Sequence, residues 1–455
     1  MYLSFADQRA RRLSRAAAPG VPFRLSPVII WLGIVSLLTD ISSEAVAAVL
    51  PVYLTGALGL SILAYGFLDG LQQGISAVVR IGAGWTSDAV DRPKWVAAAG
   101  YGLSMAARAG LLVSASVGAV ASVIALDRIG KGIRTAPRDA LITTAAQPEH
   151  LARSFGVHRM LDTVGATAGP LLAFAVLLAI PQGYSTVFVF SLGAAVLGVA
   201  VLVLLVPNLR PQRSREFQSG SLNQAAQLPG AGSANQAGTA SRAGGGQPVR
   251  ERMGGRRALR TLNTPLLRRL LFAAGLLSLL SVGDGFLYLL LLTSGGFSPV
   301  WFPLLFVGTN AAYLLLAIPL GRAADRWGRH RVFLLGHAGL LAAYICAGFG
   351  GPAATLLCLL ALGAFYAATD GVLAALAGGL VPERVRATGI AAAQTVVALG
   401  RLVASSLFGV LWYTLGPQTA LWLTAAALAL ALPAAAWLIR PVARPPVPAA
   451  AADTP

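Results

Sequence analysis

Long apolar runs separated by short polar loops dominate this chain, and they limit what it can fold into. Most runs reach about 20 residues, the length an α-helix needs to cross the hydrocarbon core of a bilayer. Of the 455 residues, 56% are hydrophobic and only 11% are charged, whereas soluble domains carry roughly 25% charged residues. The chain is therefore predicted to be an all-α integral membrane protein with about twelve transmembrane helices.

The apolar runs form two groups, and the segment between them has a different composition. The predicted spans are 27–53, 60–83, 94–116, 118–140, 155–180 and 184–206, followed by 266–292, 299–320, 332–350, 353–377, 388–412 and 417–440. The segment between the groups is rich in Gly, Ala, Ser, Gln and Arg, and it cannot bury enough apolar surface to order itself. The expected domains are a cytoplasmic arm (1–26), a six-helix bundle (27–207), a flexible basic linker (208–265), a second six-helix bundle (266–440) and a cytoplasmic tail (441–455).

Basic residues occupy every second connection, and this alternation predicts the orientation. Loops such as LTGALGLS, AIPQGYS and TLGPQ contain neither Lys nor Arg. Because cytoplasmic loops carry the excess of Lys and Arg, we expect a multi-pass protein of the cell (inner or plasma) membrane with both termini and the linker in the cytoplasm. The net charge of +18 follows the same alternation, so it does not indicate nucleic-acid binding.

Sequence signatures of enzymes, metal sites and cofactor sites are missing from the chain. There is no Gly-x4-Gly-Lys-Ser/Thr loop for ATP and no Gly-x-Ser-x-Gly nucleophile. Cys346 and Cys358 both fall within apolar runs, and the four histidines are scattered over different segments. We therefore expect no enzymatic activity, no metal and no cofactor.

Two short charged segments about half a chain apart repeat the same pattern. GWTSDAVDRPK runs from Gly84 to Lys94, and GRAADRWGRHR runs from Gly321 to Arg331. Both begin with Gly-x3-Asp, and a basic pair follows each aspartate at the same distance. A repeat of this kind between membrane spans predicts a duplicated bundle that rocks around a central site, as in secondary transporters.

These motifs resemble those of the major facilitator superfamily, over the whole chain outside the linker and tails. The C-terminal segment closely matches the family's loop signature between helices 2 and 3, whereas the N-terminal copy has Ala89 in place of an Arg and Asp91 in place of a Gly. The resemblance implies two pseudo-symmetric six-helix bundles and a gate built on these loops. The gating residues it implies are Gly84, Asp88, Arg92, Arg138, Gly321, Asp325, Arg326, Gly328 and Arg329, with Arg138 paired to Asp88.

Two further segments carry the resemblance. Arg128 to Gly132 is similar to the family's helix-4 pattern, and Gly165-x3-Gly169-Pro170 is similar to a glycine motif of antiporters in helix 5. The run from Asp127 to Ala140 looks like a prokaryotic subgroup whose substrates are largely unassigned. The resemblance thus implies a transporter but names no solute.

Ionisable residues inside apolar spans are costly, so they are candidates for function. Asp40 and Glu44 are four residues apart and share one face of the first helix, an arrangement that suits a proton carrier. By the resemblance, helices 1 and 4 both line the central cavity, so Arg128 is predicted to tune these carboxyl groups. Alternatively, Asp40 pairs with Arg108 or Arg128 only to stabilise the fold.

A second set of ionisable residues is predicted to line the solute cavity. On helix 4, Asp127 precedes Lys131, Arg134 and Arg138 at spacings that place all four on one face. This basic stripe either gates the transporter or selects anionic substrates. The cavity candidates are Asp69, Arg108, Lys131, Arg134, Asp284, Asp370 and Arg401.

Together these features predict a monomeric secondary transporter that exports a small organic solute against inward proton movement by alternating access. The expected partners are the solute, protons and the lipid bilayer. One alternative is uptake or facilitated diffusion of a small metabolite, with an anionic metabolite as one option. Another is a lipid-handling or signalling membrane protein that does not transport.

Overall fold

The computed structural model describes residues 26–86, 93–114, 116–147, 150–209, 264–382 and 386–440. Within these ranges the regular structure is helical and there is no strand. The helices are α1 Pro27–Val52, α2 Ile62–Thr86, α3 Pro93–Val113, α4 Val117–Ala145, α5 Leu151–Ala179, α6 Tyr184–Leu205, α7 Pro265–Ser278, α8 Asp284–Gly295, α9 Phe302–Trp327, α10 Arg329–Phe349, α11 Pro352–Gly379, α12 Arg386–Leu415 and α13 Pro417–Leu438. The predicted arm, the tail and nearly all of the linker lie outside the described residues.

Local sequence explains where many of the helices begin and end. Proline occupies the first position of α7, α11 and α13, where its missing N–H is not needed. Gly296 ends α8 with a φ of 65°, a conformation that glycine adopts without strain. Nine stretches within the described ranges are long and apolar enough to cross a membrane by length and composition, in agreement with the predicted all-α membrane fold.

The prediction of one continuous helix over 266–292 is wrong, because the chain breaks between α7 and α8. At the break, the backbone N–H of Val282 donates to the Tyr344 hydroxyl, which donates in turn to the Leu280 carbonyl oxygen, both at 2.8 Å. Backbone polar groups inside a membrane must find partners within the protein. A tyrosine on α10 therefore satisfies two groups that a continuous helix would have satisfied itself.

Different contacts stabilise the two ends of the molecule. We call the end at which α6 stops and α7 starts the linker end, and the other the far end. Near the linker end, Lys94 Nζ donates to the Val203 carbonyl oxygen over 2.8 Å and ties α3 to α6. At the far end, the rings of Phe174 on α5 and Trp301 before α9 lie 5.5 Å apart, so the two halves are in contact there.

Helices α2 and α12 form the longest contact between the halves, and glycines allow it. A Cβ at Gly66 would lie 2.8 Å from the Ser405 carbonyl oxygen and 3.0 Å from Gly409 Cα. Gly70 lies against the Leu402 carbonyl oxygen, and Gly74 lies against the Leu402 side chain. This contact runs from the far end to the middle of both helices.

Within the first half, two glycines of α5 bring it against the backbone of α1. A Cβ at Gly165 would clash with the Leu37 carbonyl oxygen, and one at Gly169 would lie 2.8 Å from Ile41 O and Ala45 N. Small residues four apart are a common device for close helix contact in membranes. The antiporter-like glycine motif is thus the face of α5 that packs on α1.

We predict that Gly165→Ala destabilises the protein, because the added methyl group meets fixed backbone atoms. Overpacking of this kind costs about 1–3 kcal/mol. Gly156→Ala is the matched control on the same helix, since a Cβ there meets nothing within 4 Å; it should be neutral or stabilising by up to ~1 kcal/mol. Thermal unfolding of the two purified variants checks the prediction, and equal melting temperatures would contradict it.

Candidate functional site

The α1–α5 contact brings two carboxyl groups together in the first half. Asp40 on α1 and Asp162 on α5 share a side-chain hydrogen bond. Ser36 Oγ donates to Asp162 Oδ1 over 2.8 Å and accepts from Arg138 Nη1 over 3.3 Å. Because a carboxylate can only accept hydrogen bonds, a hydrogen bond between two carboxyl groups contains one proton.

Arginines from α4 and α5 surround this pair, which we call the carboxyl pair. Arg134 Nη2 lies 4.0 Å from Asp40 Oδ1, and its guanidinium stands 4.5 Å from the centre of the Tyr101 ring. Arg159 Nη1 lies 3.5 Å from Asp162 Oδ2. Lys131 is a further charged neighbour of Asp40. The predicted basic stripe of α4 therefore faces the carboxyl pair.

Arg128 and Glu44 are placed differently from Arg134 and Asp162. Arg128 Nη2 donates to Gln72 Oε1 on α2 over 2.7 Å, and Glu44 lies with its Cβ against Gly169. The sequence predicted that Arg128 acts on Asp40 and Glu44, whereas the structure sets Arg134 beside Asp40. The roles themselves stay predictions.

A separate ion pair joins α3 and α4. Arg108 Nη2 donates to Asp127 Oδ1 over 2.9 Å, and the two side chains are only 7% and 9% exposed. A cavity of about 30 Å³ lies beside it, with room for one water molecule but not for an organic solute. Its polar lining residues are Ser43, Gln72, Arg108, Asp127 and Arg128. Arg108 thus pairs with Asp127 rather than with Asp40.

A second polar group, which we call the junction cluster, lies where the two halves meet the α7–α8 break. It consists of Asp69, Asp284, Tyr366, Arg401 and Ser405. Ser405 Oγ of α12 donates to Asp69 Oδ2 of α2 over 2.6 Å, so the hydrogen bond crosses between the halves. A Cβ at Gly283 would clash with the Asp69 carboxylate. Both carboxylates lie near the N-terminus of α8, where the helix dipole favours negative charge.

Tyr366 and Arg401 complete the junction cluster on the side of the second half. The Tyr366 hydroxyl donates to both Asp284 oxygens, at 2.8 and 2.9 Å. The Arg401 guanidinium lies 5.5 Å from the centre of the Tyr366 ring and 5.9 Å from that of Phe365. Asp370, exposed on α11, is a charged neighbour of Arg401. Three of the predicted cavity residues of this half are therefore close together.

A larger cavity of about 370 Å³ lies between α9 and α11, and we call it the α9–α11 cavity. It extends from the middle of the two helices towards the linker end. Its lining residues are Tyr313, Ala317, Ile318, Gly321, Arg322 and Asp325 on α9, and Tyr366, Ala367 and Gly371 on α11. Tyr366 belongs both to this cavity and to the junction cluster.

The repeated charged motifs are described only in part. In the C-terminal copy, Gly328 has a φ of 96° and separates α9 from α10. Arg329 lies 3.8 Å from Asp325 and donates to the Ala375 carbonyl oxygen near the end of α11 over 3.3 Å, while Arg326 is exposed.

In the N-terminal copy, Gly84 lies in the last turn of α2. Asp88 and Arg92 lie outside the described residues, and so does the predicted Arg138–Asp88 pair. Arg138 Nη2 contacts Asp139 Oδ1 at 3.0 Å.

Sequence reasoning missed several residues that these sites contain. The missed residues are Ser36, Gln72, Asp162, Arg322, Tyr344 and Ser405. Asp162 had a usable signal, because it is an acidic residue one turn before the glycine motif that predicts a close helix contact. The serines and Tyr344 had none, since such residues are common in membrane helices. The described ranges contain no group of three or more His, Cys, Asp or Glu side chains arranged to hold a metal ion.

Two groups of membrane-length helices around buried charged side chains define a helical transporter. The model of the Major Facilitator Superfamily matches residues 32–309 and 285–455, and the chain belongs to this family. An uncharacterized MFS-type transporter of Methanocaldococcus jannaschii is 30% identical over 399 residues, covering 85% of this chain and 89% of that protein. The predicted family and the predicted all-α fold are confirmed.

Solved structures show the same fold at low sequence identity. The nucleoside transporter NupG superposes with a TM-score of 0.70 at 13% identity, over 91% of this chain and all of that one. A POT family transporter in complex with 5-aminolevulinic acid gives a TM-score of 0.67 at 12% identity, over 90% of this chain and 95% of that one. The family match and the Methanocaldococcus jannaschii relative show that this protein is a membrane transporter of the MFS type.

We predict that Tyr344→Phe destabilises the protein at the α7–α8 break. The variant leaves Val282 N–H and Leu280 C=O without their hydrogen-bond partner, which costs about 1–3 kcal/mol for each buried group. Tyr101→Phe is the control, because the buried Tyr101 hydroxyl has no hydrogen-bond partner in the described part of the chain. Thermal unfolding should show a lower melting temperature for Tyr344→Phe only. Equal losses in both variants would contradict the role of Tyr344.

Proposed function

We propose that the protein is a proton-coupled exporter of a small organic solute, with the carboxyl pair Asp40–Asp162 as its proton carrier. The single observation that carries the proposal is this pair of partly buried carboxyl groups joined by a hydrogen bond. We keep the proton-coupling role that the sequence predicted for Asp40. We assign the role of its partner carboxyl group, which the sequence suggested for Glu44, to Asp162.

The surroundings of the pair suit reversible loading with one proton. When the proton leaves, two adjacent carboxylates repel each other, and Arg134, Arg138 and Arg159 are near enough to stabilise the second charge. Because these arginines lie on α4 and α5 while Asp40 lies on α1, gain or loss of the proton changes the forces between the helices. This change is the proposed link between proton binding and the movement of the bundle.

The contacts between the halves favour a state that is open towards the linker end. The α2–α12 contact, the Asp69–Ser405 hydrogen bond and the Phe174–Trp301 contact all join the halves between the middle and the far end. The α9–α11 cavity instead lies towards the linker end. With the linker in the cytoplasm, as the loop charges predict, this state receives the solute and releases the proton on the cytoplasmic side.

The direction of transport rests on the glycine motif of α5, which resembles that of antiporters. We place the protein in the cell inner membrane as a monomer, since one chain contains both halves. Nucleosides and 5-aminolevulinic acid are the first probes to try, because a nucleoside transporter and a transporter in complex with 5-aminolevulinic acid have this fold. A non-transporting lipid-handling or signalling protein would need none of the proton coupling described above.

Transport by reconstituted protein tests the carrier. We predict that Asp40→Asn and Asp162→Asn each retain exchange of a probe solute across vesicle membranes without a gradient but lose accumulation driven by a pH gradient. Removing either carboxyl group removes the site that the proton occupies. Glu44→Gln is the control on the same face of α1 and should keep gradient-driven accumulation.

Two outcomes would overturn the assignment. If uphill transport survives in both aspartate variants, the carboxyl pair is not the carrier. If it is lost in Glu44→Gln alone, Glu44 is the carrier. If wild-type vesicles accumulate the solute only when the imposed pH gradient is reversed, the protein is a symporter and not an exporter.

A further inference from the structure

We propose that the α9–α11 cavity binds an amphipathic organic anion, and that Arg322 is the residue that binds its anionic group. The inference rests on the proposed transport function and names the substrate class for it. It is carried by the shape of the cavity, by the order of residues along it and by the charge balance at its linker end.

The cavity has the size and shape of a site for an elongated small molecule. Its volume of about 370 Å³ lies in the lower part of the ~300–1,000 Å³ typical of small-molecule sites. The lining residues of α9 run from Tyr313 to Asp325, which is about 18 Å at 1.5 Å per residue. A compact polar solute would leave most of this length unfilled.

The lining changes from aromatic to apolar to charged along this length. Tyr313 and Tyr366 stand at the inner end, and Arg322 and Asp325 at the end nearer the linker. Between them lie small or aliphatic residues, which leave room for an apolar body: Ala317, Ile318, Gly321, Ala367 and Gly371. A flat ring packs well against tyrosine side chains. The order of the lining therefore matches a molecule with a ring or hydrocarbon body and one charged end.

The charge balance at the outer end favours an anion. Asp325 lies 3.8 Å from Arg329, which compensates its charge. Arg322 is exposed, and its side chain makes no ion pair or hydrogen bond within the described part of the chain. A guanidinium in this position binds a carboxylate or phosphate with two parallel hydrogen bonds. A cation, by contrast, would meet the Asp325 carboxylate, whose charge Arg329 already compensates, and would be repelled by Arg322.

Tyr366 connects the cavity to the part of the protein that joins the halves. Its ring lines the cavity, its hydroxyl donates to Asp284, and Arg401 stands over the ring. A molecule that packs on Tyr366 therefore contacts the junction cluster, which also contains the inter-half hydrogen bond from Ser405 to Asp69. This connection favours a transported solute over a membrane lipid as the occupant.

Binding of matched probes to purified protein in phosphatidylcholine nanodiscs tests the proposal. The probes are four anions (indole-3-acetate, benzoate, phenyl phosphate and octanoate), their uncharged amides or alcohols, and tryptamine as a cation. Titration calorimetry or ligand-induced thermal stabilisation reports the affinity. We expect at least one anion to bind about tenfold or more tightly than its uncharged partner and than tryptamine, as charge-assisted hydrogen bonds allow.

Arg322→Gln should abolish this preference, and Arg322→Lys should retain part of it, since a lysine keeps the charge but loses the planar fork. Arg326→Gln is the matched control, because Arg326 is exposed on the same helix but does not line the cavity. Both sites are exposed, so the three variants should fold, and their unliganded melting temperatures verify this.

The proposal is overturned if no anion binds in preference to its uncharged partner, or if Arg322→Gln and Arg326→Gln behave alike. A third outcome would show that the occupant of the cavity is a lipid and would also overturn the proposal. In that outcome, phosphatidylglycerol in the nanodisc displaces the probes and binds at Arg322, and wild-type vesicles transport none of the water-soluble anions. The binding readout uses no pH gradient, so it is independent of the carboxyl pair. If the Asp40→Asn variant binds anions normally but fails to accumulate them, both the proposed anion site and the proposed proton carrier are supported.

Discussion

A hydrogen bond between two carboxyl groups requires a proton, and the hydrogen-bonded pair Asp40–Asp162 is the interaction on which the first half of the molecule depends. Asp40 and Asp162 meet because Gly165 and Gly169 let α5 approach the backbone of α1. The basic residues of α4 then face the pair, so that its charge is compensated in either state of protonation. A displacement of α5 from α1 would separate the two carboxyl groups and leave the arginines without their acidic partners. The close packing of the two helices and the balance of charge at the pair therefore depend on each other.

The second half meets the demands of an apolar environment in a different way. Its chain is interrupted between α7 and α8, and the exposed backbone groups are satisfied by Tyr344 from α10. The break places the N-terminus of α8 near Asp69 and Asp284, at the contact between the halves. A discontinuous helix at such a contact is a natural place for bending when the halves rock. The α9–α11 cavity shares Tyr366 with this region, so occupancy of the cavity and the geometry of the contact are connected through one side chain.

Much of the fold was predictable because it follows from hydrophobic length and loop charge, which are local properties of the sequence. The pairing of Asp40 was not, because helical periodicity shows that Asp40 and Glu44 share a face but not which helix covers that face. The partner lies on α5, more than a hundred residues away, and its identity depends on the register of the two helices. The break after Ser278 was hidden for the same reason, since the side chain that stabilises it comes from α10. Arg322 was overlooked because it stands inside a motif for which the family resemblance predicted a role in gating.

The central claim is that Asp40 and Asp162 share one proton, and infrared difference spectroscopy tests it most directly. Spectra of purified wild-type protein, taken between neutral and alkaline pH, should contain the carbonyl stretching band of one buried protonated carboxyl group that disappears on deprotonation. The account predicts that this band is missing from both Asp40→Asn and Asp162→Asn and present in Glu44→Gln. A band that persists unchanged in both aspartate variants would contradict it.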